Sequence, residues 1–418
     1  MTDSRNFVIV GAGQAGRWLA LTLRNEGYAG RITWFGEEVH APYERPPLSK
    51  AVLKGEAELH QLMLLDAAKL DALQVDLRLN QTVASIDREA RSVTTAAGVT
   101  VPYDALFLAN GGRARALPGL APHPRVLTLR THDDALAIRQ QIQSAKHVLV
   151  LGGGWIGLEV AASARKLGRE VTLLEAAPRL CARTVPPCVS EHLREMHTAH
   201  GVTLRIGSAV QSVDANDAGV AVTLASGERI AGDCLIVGIG LVANDELAAA
   251  AGLLTGNGVL TDASGRSSDA AIFAVGDVAN SERPQGGRAE RPEGGRLRIE
   301  SWDNAQRQAI VAAKAALGIE HDPAADGPPW FWSDQYDSNL QLLGLPDERM
   351  RVVERRDGGK RVFFFCDGPA VRAVAAVNAG RELKIARKWI AQNRFPALEA
   401  LADTTIDLNK LPLQEVSA

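Results

Sequence analysis

One pattern occurs twice in this 418-residue chain and constrains its fold more than any other feature. An apolar run at 6–10 leads into the glycine-rich loop 11–16 and a helical stretch, and a second apolar run follows at 31–35. The same order returns between residues 147 and 175. Strand, glycine loop, helix and strand in this order form half of a dinucleotide-binding fold, so the sequence predicts an α/β protein with two such Rossmann-like units.

The glycines of each loop have separate roles in such a fold. The first allows a tight turn out of the strand, the second lets a pyrophosphate approach the backbone, and the third lets the helix lie close to the strand. These residues are Gly11, Gly13 and Gly16 in the first loop and Gly152, Gly154 and Gly157 in the second. The helices are expected over 17–25 and 158–167, with their N-terminal N–H groups turned toward the phosphates.

An acidic residue lies near the end of each second strand, at about the expected distance from the first glycine of the loop. These residues are Glu37 and Glu175. A carboxylate at this position accepts hydrogen bonds from a ribose 2′-hydroxyl and repels a 2′-phosphate. Alanines at 176 and 177 follow Glu175, and arginines stand only further on, at 179 and 183. The second site is therefore expected to take NADH in preference to NADPH.

Segments outside the two units complete the predicted layout. Runs at 103–111 and 233–240 are expected to be strands that return the chain between domains, and 113–124 is expected to be a linker. Asp277 ends a short apolar strand, where a ligand contact and a helix cap are both possible roles. Residues 280–295 read as a surface insertion. Beyond Trp330 a predicted hairpin at 352–365, a strand at 371–377 and a helix at 381–393 indicate a separate α+β domain.

Composition excludes several classes of partner. The net charge is only −3, which gives no general attraction to nucleic acid or to an anionic membrane. No apolar run reaches the roughly 18 residues that a membrane span requires. The N-terminus lacks the features of a signal peptide, so we expect a cytoplasmic protein that binds neither nucleic acid nor membrane. The four cysteines form no C-x-x-C pair, so no disulfide framework is expected.

Several runs give the chain a resemblance to the FAD-dependent ferredoxin reductases that serve bacterial Rieske dioxygenases and cytochromes P450. Besides the two glycine loops, the resemblance is carried by residues 42–50 (PYERPPLSK), 157–161 (GLEVA), 276–277 (GD), 300–302 (ESW) and 330–336 (WFWSDQY). It implies a glutathione-reductase-like fold with an FAD domain at 1–112 and 241–322, an NAD domain at 113–240 and a C-terminal domain at 323–418. It also implies FAD and NADH as cofactors and an acidic [2Fe-2S] ferredoxin, which supplies an oxygenase, as the partner.

The resemblance assigns cofactor contacts along the whole chain. The implied FAD contacts are Gly11, Gly13, Ala15, Gly16, Glu37, Arg45, Lys50, Val83, Ala109, Gly111, Arg130, Asp277 and Trp302. The implied NAD contacts are Gly152, Gly154, Ile156, Gly157, Glu159, Glu175, Arg183, Gly238 and Gly240. Lys50 would lie near flavin N5 and Glu159 would reach toward it, so these two are the expected catalytic residues. Two positions depart from the family pattern, Asn110 in place of threonine and Ala243 in place of proline.

Simpler roles remain possible for several of these side chains. Lys50 could be a phosphate ligand only, and Glu159 could be a helix-start carboxylate favoured by the helix dipole. His197 and His200 have the spacing of a metal pair, but no third ligand is evident and a solvated helix end is the favoured interpretation. Basic residues are expected to dock an acidic ferredoxin, although for each one alone an ordinary surface charge is the favoured interpretation. The candidates are Arg296, Arg298, Arg307, Lys384, Arg387 and Lys388.

Two other functions use the same scaffold. Disulfide reductases and NADH oxidases need a redox cysteine shortly after the first unit, and residues 38–60 contain none. A protein similar to apoptosis-inducing factor would share the PPLSK run at 46–50, but the run at 330–336 argues against it. The sequence therefore favours NADH:ferredoxin reduction and predicts no metal site.

Overall fold

The computed structural model describes residues 4–120, 122–282, 295–321 and 327–415. The first third of the chain contains β1 (Asn6–Val10), α1 (Gln14–Asn25), β2 (Arg31–Phe35), α2 (Ala67–Ala72), β3 (Asp76–Arg78), β4 (Val83–Asp87), β5 (Ser92–Thr95), β6 (Thr100–Pro102), β7 (Ala105–Leu108) and β8 (Gly112–Ala114). The middle contains β9 (Val126–Thr128), α3 (His132–Ser144), β10 (His147–Leu151), α4 (Trp155–Lys166), β11 (Glu170–Glu175), α5 (Pro187–Ala199), β12 (Val202–Ile206), β13 (Val210–Asn216), β14 (Gly219–Leu224), β15 (Arg229–Gly232) and β16 (Cys234–Val237).

The remaining elements follow in two groups. The first is β17 (Leu241–Ala243), α6 (Glu246–Ala250), β18 (Val259–Thr261), β19 (Ile272–Ala274), β20 (Ala279–Glu282), β21 (Arg296–Leu297) and α7 (Trp302–Ala316). The second is β22 (Trp330–Gln335), β23 (Ser338–Leu343), β24 (Arg351–Asp357), β25 (Lys360–Asp367), β26 (Ala370–Val377), α8 (Gly380–Gln392), β27 (Arg394–Phe395), α9 (Leu398–Leu401) and β28 (Gln414–Glu415).

The chain divides into two compact units, each built from three separate segments. The first unit contains Met1–Glu44, Leu59–Arg113 and Leu241–Gly327. The second contains Arg45–Glu58, Ala114–Gly240 and Pro328–Ala418. Residues 45–58 thus belong to the same unit as the second glycine loop, while the three-domain division expected from the sequence stays a prediction.

The first unit is built on a parallel sheet with strand order β19-β7-β1-β2-β3. Alternate residues of β1 enter different cores: Phe7 and Ile9 pack with α1 and α7, whereas Val8 and Val10 pack with the small antiparallel sheet β4-β5-β6. Burial on both faces explains why β1 is apolar without interruption.

The second unit repeats this arrangement. Its parallel sheet has the order β12-β11-β10-β16-β9, and the antiparallel sheet β13-β14-β15 covers one face. Both predicted repeats are therefore confirmed, together with the α/β fold class. The helices differ from prediction at their starts, since α1 begins at Gln14 and α4 at Trp155. The reason is that Gly13 and Gly154 are extended N-cap residues, so the third glycine of each loop lies within the first helical turn.

The predicted linker at 113–124 is only partly irregular. Its first residues belong to β8, which pairs with β17. The insertion predicted at 280–295 begins within β20, and its residues 283–294 lie outside the described residues. No helix in the described parts of the chain is both long and apolar enough to span a membrane.

The C-terminal part of the second unit is an antiparallel sheet with the order β22-β23-β26-β25-β24. The predicted hairpin appears as β24 and β25, and α8 packs on the sheet over an apolar core. A buried arginine on β24 fastens the last segment to this sheet. Arg355 donates hydrogen bonds to the carbonyl oxygens of Leu401 (3.2 Å), Asp403 (2.5 Å) and Ile406 (2.9 Å).

We expect Arg355→Met to destabilise the C-terminal sheet, because three carbonyl groups would lose a charged donor in a buried position. The melting temperature should fall by roughly 5 °C or more in scanning calorimetry. Arg356→Met is the matched control, since this neighbour is exposed and pairs with Glu354. Equal melting temperatures for the two variants would show that Arg355 is not a structural clamp.

Candidate functional site

The first glycine loop is tightly packed at its first and third glycines and open at its second. Gly11 has a φ of +118°, and a Cβ there would collide with the carbonyl oxygen of Ala109. A Cβ at Gly16 would collide with the Gly11 carbonyl oxygen. A Cβ at Gly13 would meet nothing within 4 Å, and no side chain caps the start of α1. The open backbone and the uncapped helix N-terminus leave a place that fits a dinucleotide pyrophosphate.

The second loop has the same geometry in its own unit. Gly152 has a φ of +105° and faces the carbonyl oxygen of Gly238, and Gly157 lies against the Gly152 carbonyl oxygen. A Cβ at Gly154 would meet nothing within 4 Å, and α4 also begins without a side-chain cap. Both loops therefore fit the cofactors expected from the sequence, and a Cβ at the second glycine of either loop would fill the cradle.

Glu175 is fixed against the second loop. Its carboxylate accepts hydrogen bonds from the backbone N–H groups of Gly153 (2.5 Å) and Ala177 (2.6 Å). The guanidinium of Arg183 lies beside Gly240, where a Cβ would be 3.2 Å from Nη2. The structure thus brings two predicted NAD contacts, Arg183 and Gly240, close together. A third, Ile156, is exposed at the start of α4.

Predicted FAD contacts also meet one another. The Arg45 guanidinium donates a hydrogen bond to the Arg130 carbonyl oxygen (2.6 Å). Arg130 directly precedes the capping box of α3, in which Thr131 and Asp134 exchange hydrogen bonds. Two segments far apart in sequence are thereby held together within the second unit.

The other predicted FAD contacts occupy varied environments in the first unit. Glu37 is exposed after β2, and Val83 is buried in the core. Asp277 lies inside the short turn Gly276–Val278, whose N-cap is Val275, so the interpretation of Asp277 as a helix cap is wrong. Trp302 is the first residue of α7, directly after the capping residue Ser301.

Of the two departures from the family pattern, Asn110 exchanges a pair of hydrogen bonds with Asn244, and Ala243 directly precedes Asn244. The Asn110 amide donates to the Asn244 carbonyl oxygen (2.7 Å), and the Asn244 amide donates to the Asn110 carbonyl oxygen (2.9 Å). Arg113 donates a further bond to the Asn244 side chain (3.0 Å). These bonds join the segments that enter β8 and leave β17. Asn110, unlike threonine, has an amide donor for this clasp.

Lys50, which is partly buried, forms an ion pair with the buried Glu159. The Lys50 Nζ lies 2.7 Å from Glu159 Oε2 and also donates to the Pro46 carbonyl oxygen (3.0 Å). The Glu159 side chain is only 3% exposed. It accepts hydrogen bonds from the hydroxyl of Ser49 on Oε2 and from that of Ser333 on Oε1 (2.6 Å). The structure thus brings together the two residues expected to be catalytic, and their roles stay predictions.

The residues that complete this cluster were not predicted from the sequence. Ser49 and Ser333 lie in the runs at 42–50 and 330–336, where their serine hydroxyls were the available signal. Gln335 and His197 extend the cluster, and His197 has no exposed surface. The interpretation of the His197 region as a solvated helix end is therefore wrong for His197. Burial lowers the pKa of its imidazole to about 4, so the ring is neutral.

The cysteines are poor candidates for redox chemistry. All four are free, and burial raises the pKa of each thiol: that of Cys234 to about 12 and that of Cys366 to about 11. Since the thiolate is the reactive form, none of them has the environment of a redox-active cysteine.

The proposed docking charges also differ in exposure. Arg298 is nearly buried and pairs with Glu300, and Arg296 and Arg307 pair with Glu282 and Asp303. Three of the candidates are exposed on α8, with the spacing of a single helix face. These are Lys384, Arg387 and Lys388.

Known proteins share this architecture along the whole chain. The sequence matches the pyridine nucleotide-disulphide oxidoreductase family over residues 5–309 and the reductase C-terminal family over 330–412. The ferredoxin--NAD(+) reductase component of the anthranilate 1,2-dioxygenase system of Burkholderia cepacia is 41% identical over 406 residues, which cover 96% of this chain and 98% of that protein. Rhodocoxin reductase of Rhodococcus erythropolis is 39% identical over 407 residues, with 96% and 93% covered.

Solved structures agree with these relatives. The covalent putidaredoxin reductase–putidaredoxin complex contains a chain that matches with a TM-score of 0.90 and 35% identity over 98% of each chain. The water-forming NADH oxidase of Lactobacillus brevis, at 21% identity and a TM-score of 0.83 over 97% and 95%, shares the fold. The resemblance drawn from the sequence is confirmed. The chain belongs to the pyridine nucleotide-disulphide oxidoreductase family and is an FAD- and NADH-dependent enzyme of the ferredoxin--NAD(+) reductase type.

Proposed function

We propose that the chain is the reductase component of an oxygenase system, which oxidises NADH and delivers single electrons to a [2Fe-2S] ferredoxin. Its relatives include such components from dioxygenase systems and the partner of putidaredoxin. Bound FAD would supply the chemistry that links a two-electron hydride donor, NADH, to one-electron acceptors. The observation that carries the proposal is the Lys50–Glu159 ion pair, in a chain where burial raises the pKa of all four cysteine thiols.

The residues of the chain would share the work in three ways. The loop 11–16 would hold the FAD pyrophosphate, and the loop 152–157 with Glu175 would hold that of NADH. Lys50 would place a fixed positive charge where negative charge accumulates during reduction, because its ammonium is anchored by Glu159 and the Pro46 carbonyl. The exposed charges on α8 would meet the acidic partner.

Reduction of a ferredoxin tests the proposal directly. NADH-dependent cytochrome c reduction should be fast only when a [2Fe-2S] ferredoxin is added, and a panel of ferredoxins from Rieske and P450 systems would identify the preferred class. Turnover that is independent of added ferredoxin would contradict the proposal.

The exposed charges on α8 are tested by a charge deletion. At low salt, Arg387→Ala should raise the KM for ferredoxin, because an attractive charge is lost. Arg229→Ala, at an exposed arginine on β15, serves as the control.

Lys50→Met should slow flavin reduction by NADH about tenfold or more, because the fixed charge at the reacting centre is removed. The rate is measured by stopped-flow absorbance in enzyme of full FAD content. Lys54→Met is the control, since Lys54 lies in the same segment and pairs with Glu56. A rate equal to that of the parent enzyme would leave Lys50 as a phosphate ligand only.

The first loop depends on a side chain that the sequence did not single out. The buried Trp34 indole donates a hydrogen bond to the Gly11 carbonyl oxygen (3.0 Å). Trp34→Phe keeps an aromatic ring but leaves this carbonyl without its donor, so the purified variant should retain less FAD. Trp18→Phe is the matched control, because the Trp18 indole nitrogen is buried without a hydrogen-bond partner among the described residues. FAD content is measured by the ratio of flavin to protein absorbance, and equal losses in both variants would refute the role of Trp34.

A further inference from the structure

Hydrogen bonds beyond Glu159 continue through the interior of the second unit. Ser333 Oγ, which donates to Glu159, accepts from the Gln335 amide Nε2 (3.0 Å). Gln335 Oε1 lies 2.7 Å from His197 Nε2, and His197 Nδ1 lies 3.1 Å from the Tyr336 hydroxyl. The chain of bonds therefore links β22 and α5 to α4, and its three central residues are buried.

The chemistry of the groups fixes the direction of every bond. A carboxylate can only accept, so Ser333 donates to Glu159 and must accept from the amide of Gln335. The amide oxygen of Gln335 then accepts from His197 Nε2–H, which leaves Nδ1 of the neutral ring to accept from Tyr336. Each donor thus points toward Glu159. The low pKa of His197 agrees with the single ring proton, and burial raises the pKa of Tyr336, which keeps its hydroxyl protonated.

The backbone fixes Tyr336, the group of this hydrogen-bond series that is farthest from Glu159. Tyr336 has a φ of +54°, a conformation that is rare for a bulky residue. Its ring stacks on His200, with ring centroids 3.6 Å apart. Ser333 and Gln335 alternate along β22, so both side chains lie on the same face of the strand. These constraints hold four polar side chains in one series of hydrogen bonds that ends at the carboxylate of Glu159.

We infer that Ser333, Gln335 and His197 are positioning residues, which hold Glu159 as an oriented anion and thereby fix the ammonium group of Lys50. The inference rests on the proposed function, in which Lys50 assists reduction. Donors that all point to one carboxylate stabilise its charged form and align it, which an arrangement with mixed directions would not do. Passage of a proton along the chain is disfavoured, because an amide would have to change its tautomer at Gln335.

Two measurements test this series of hydrogen bonds without relying on turnover. In ¹⁵N NMR of the holoenzyme labelled at histidine, His197 should show a protonated Nε2 and an unprotonated Nδ1 at neutral pH. The Nδ1–H tautomer, or a doubly protonated ring, would overturn the inference.

In holoenzyme treated with acetic anhydride, Ser333→Ala should increase acetylation of Lys50 relative to Lys54, as measured by mass spectrometry. An unchanged ratio would also overturn it.

Kinetic measurements test whether this series of hydrogen bonds acts through Lys50. Ser333→Ala should lower the limiting rate of flavin reduction about fivefold, with little change in the Kd for NADH. Ser333→Thr should restore the rate because it keeps the hydroxyl, and Gln335→Met should act like Ser333→Ala. Ser190→Ala is the matched control, since it removes a buried hydroxyl that bonds elsewhere, to the Leu180 carbonyl oxygen.

A double-mutant cycle separates positioning from general destabilisation. In a Lys50→Met background, Ser333→Ala should cause no further loss of rate, whereas additive losses would overturn the inference. If Lys50→Met alone leaves the rate unchanged, the proposed role of Lys50 fails, and the tautomer and the acetylation ratio still decide the positioning inference. If Lys50→Met slows reduction but Ser333→Ala changes neither rate nor acetylation, the inference fails alone.

Discussion

The structure of the second unit depends on one buried carboxylate. An isolated anion in such a position costs several kcal/mol, so Glu159 is tolerated only with close partners. Those partners come from two other segments: Lys50 and Ser49 from 45–58, and Ser333 from β22. Helix α4 packs against both the turn Leu48–Val52 and β22. The C-terminal sheet is therefore part of the environment of the proposed catalytic pair, since its loss would leave Glu159 partly unpaired.

The two glycine loops reach the same backbone geometry but are fastened differently. A neutral indole donor, Trp34, holds the carbonyl oxygen of Gly11 in the first loop. In the second loop, the carboxylate of Glu175 holds a backbone N–H of Gly153. This choice has a consequence for the ligand, because the carboxylate leaves a negative charge beside the loop. A 2′-phosphate would be repelled there, whereas a ribose hydroxyl could still donate to the free lone pairs of Glu175.

Features set by short stretches of sequence were predictable. Both glycine loops, their flanking strands and the C-terminal hairpin follow from local patterns, and the boundaries of β1, β2 and β10 agree with the apolar runs. The helix starts were missed by three residues, because the N-cap role of Gly13 and Gly154 depends on the backbone of the loop.

Residues that meet through tertiary packing were not predictable in the same way. His197 and Gln335 are 138 residues apart, and nothing in the spacing of His197 and His200 shows which side of α5 faces β22. The roles of Trp34 and Arg355 were hidden for the same reason, since each bonds to backbone groups that the fold brings to it. Side-chain identity along the sequence cannot indicate such contacts.

The state of the cysteines explains why a fold shared with disulfide reductases would support electron transfer here. Burial raises the pKa of the Cys366 thiol to about 11, so its ionisation at pH 7 is unfavourable. The thiols of Cys181 and Cys234 are at least as unfavourable. A thiolate relay needs an anionic sulfur at the reacting centre, whereas the corresponding segment 45–58 contains a lysine held by a buried glutamate. A fixed ammonium forms no bond to the substrate and lowers the free energy of a charge that develops beside it, which suits the transfer of electrons to a separate protein.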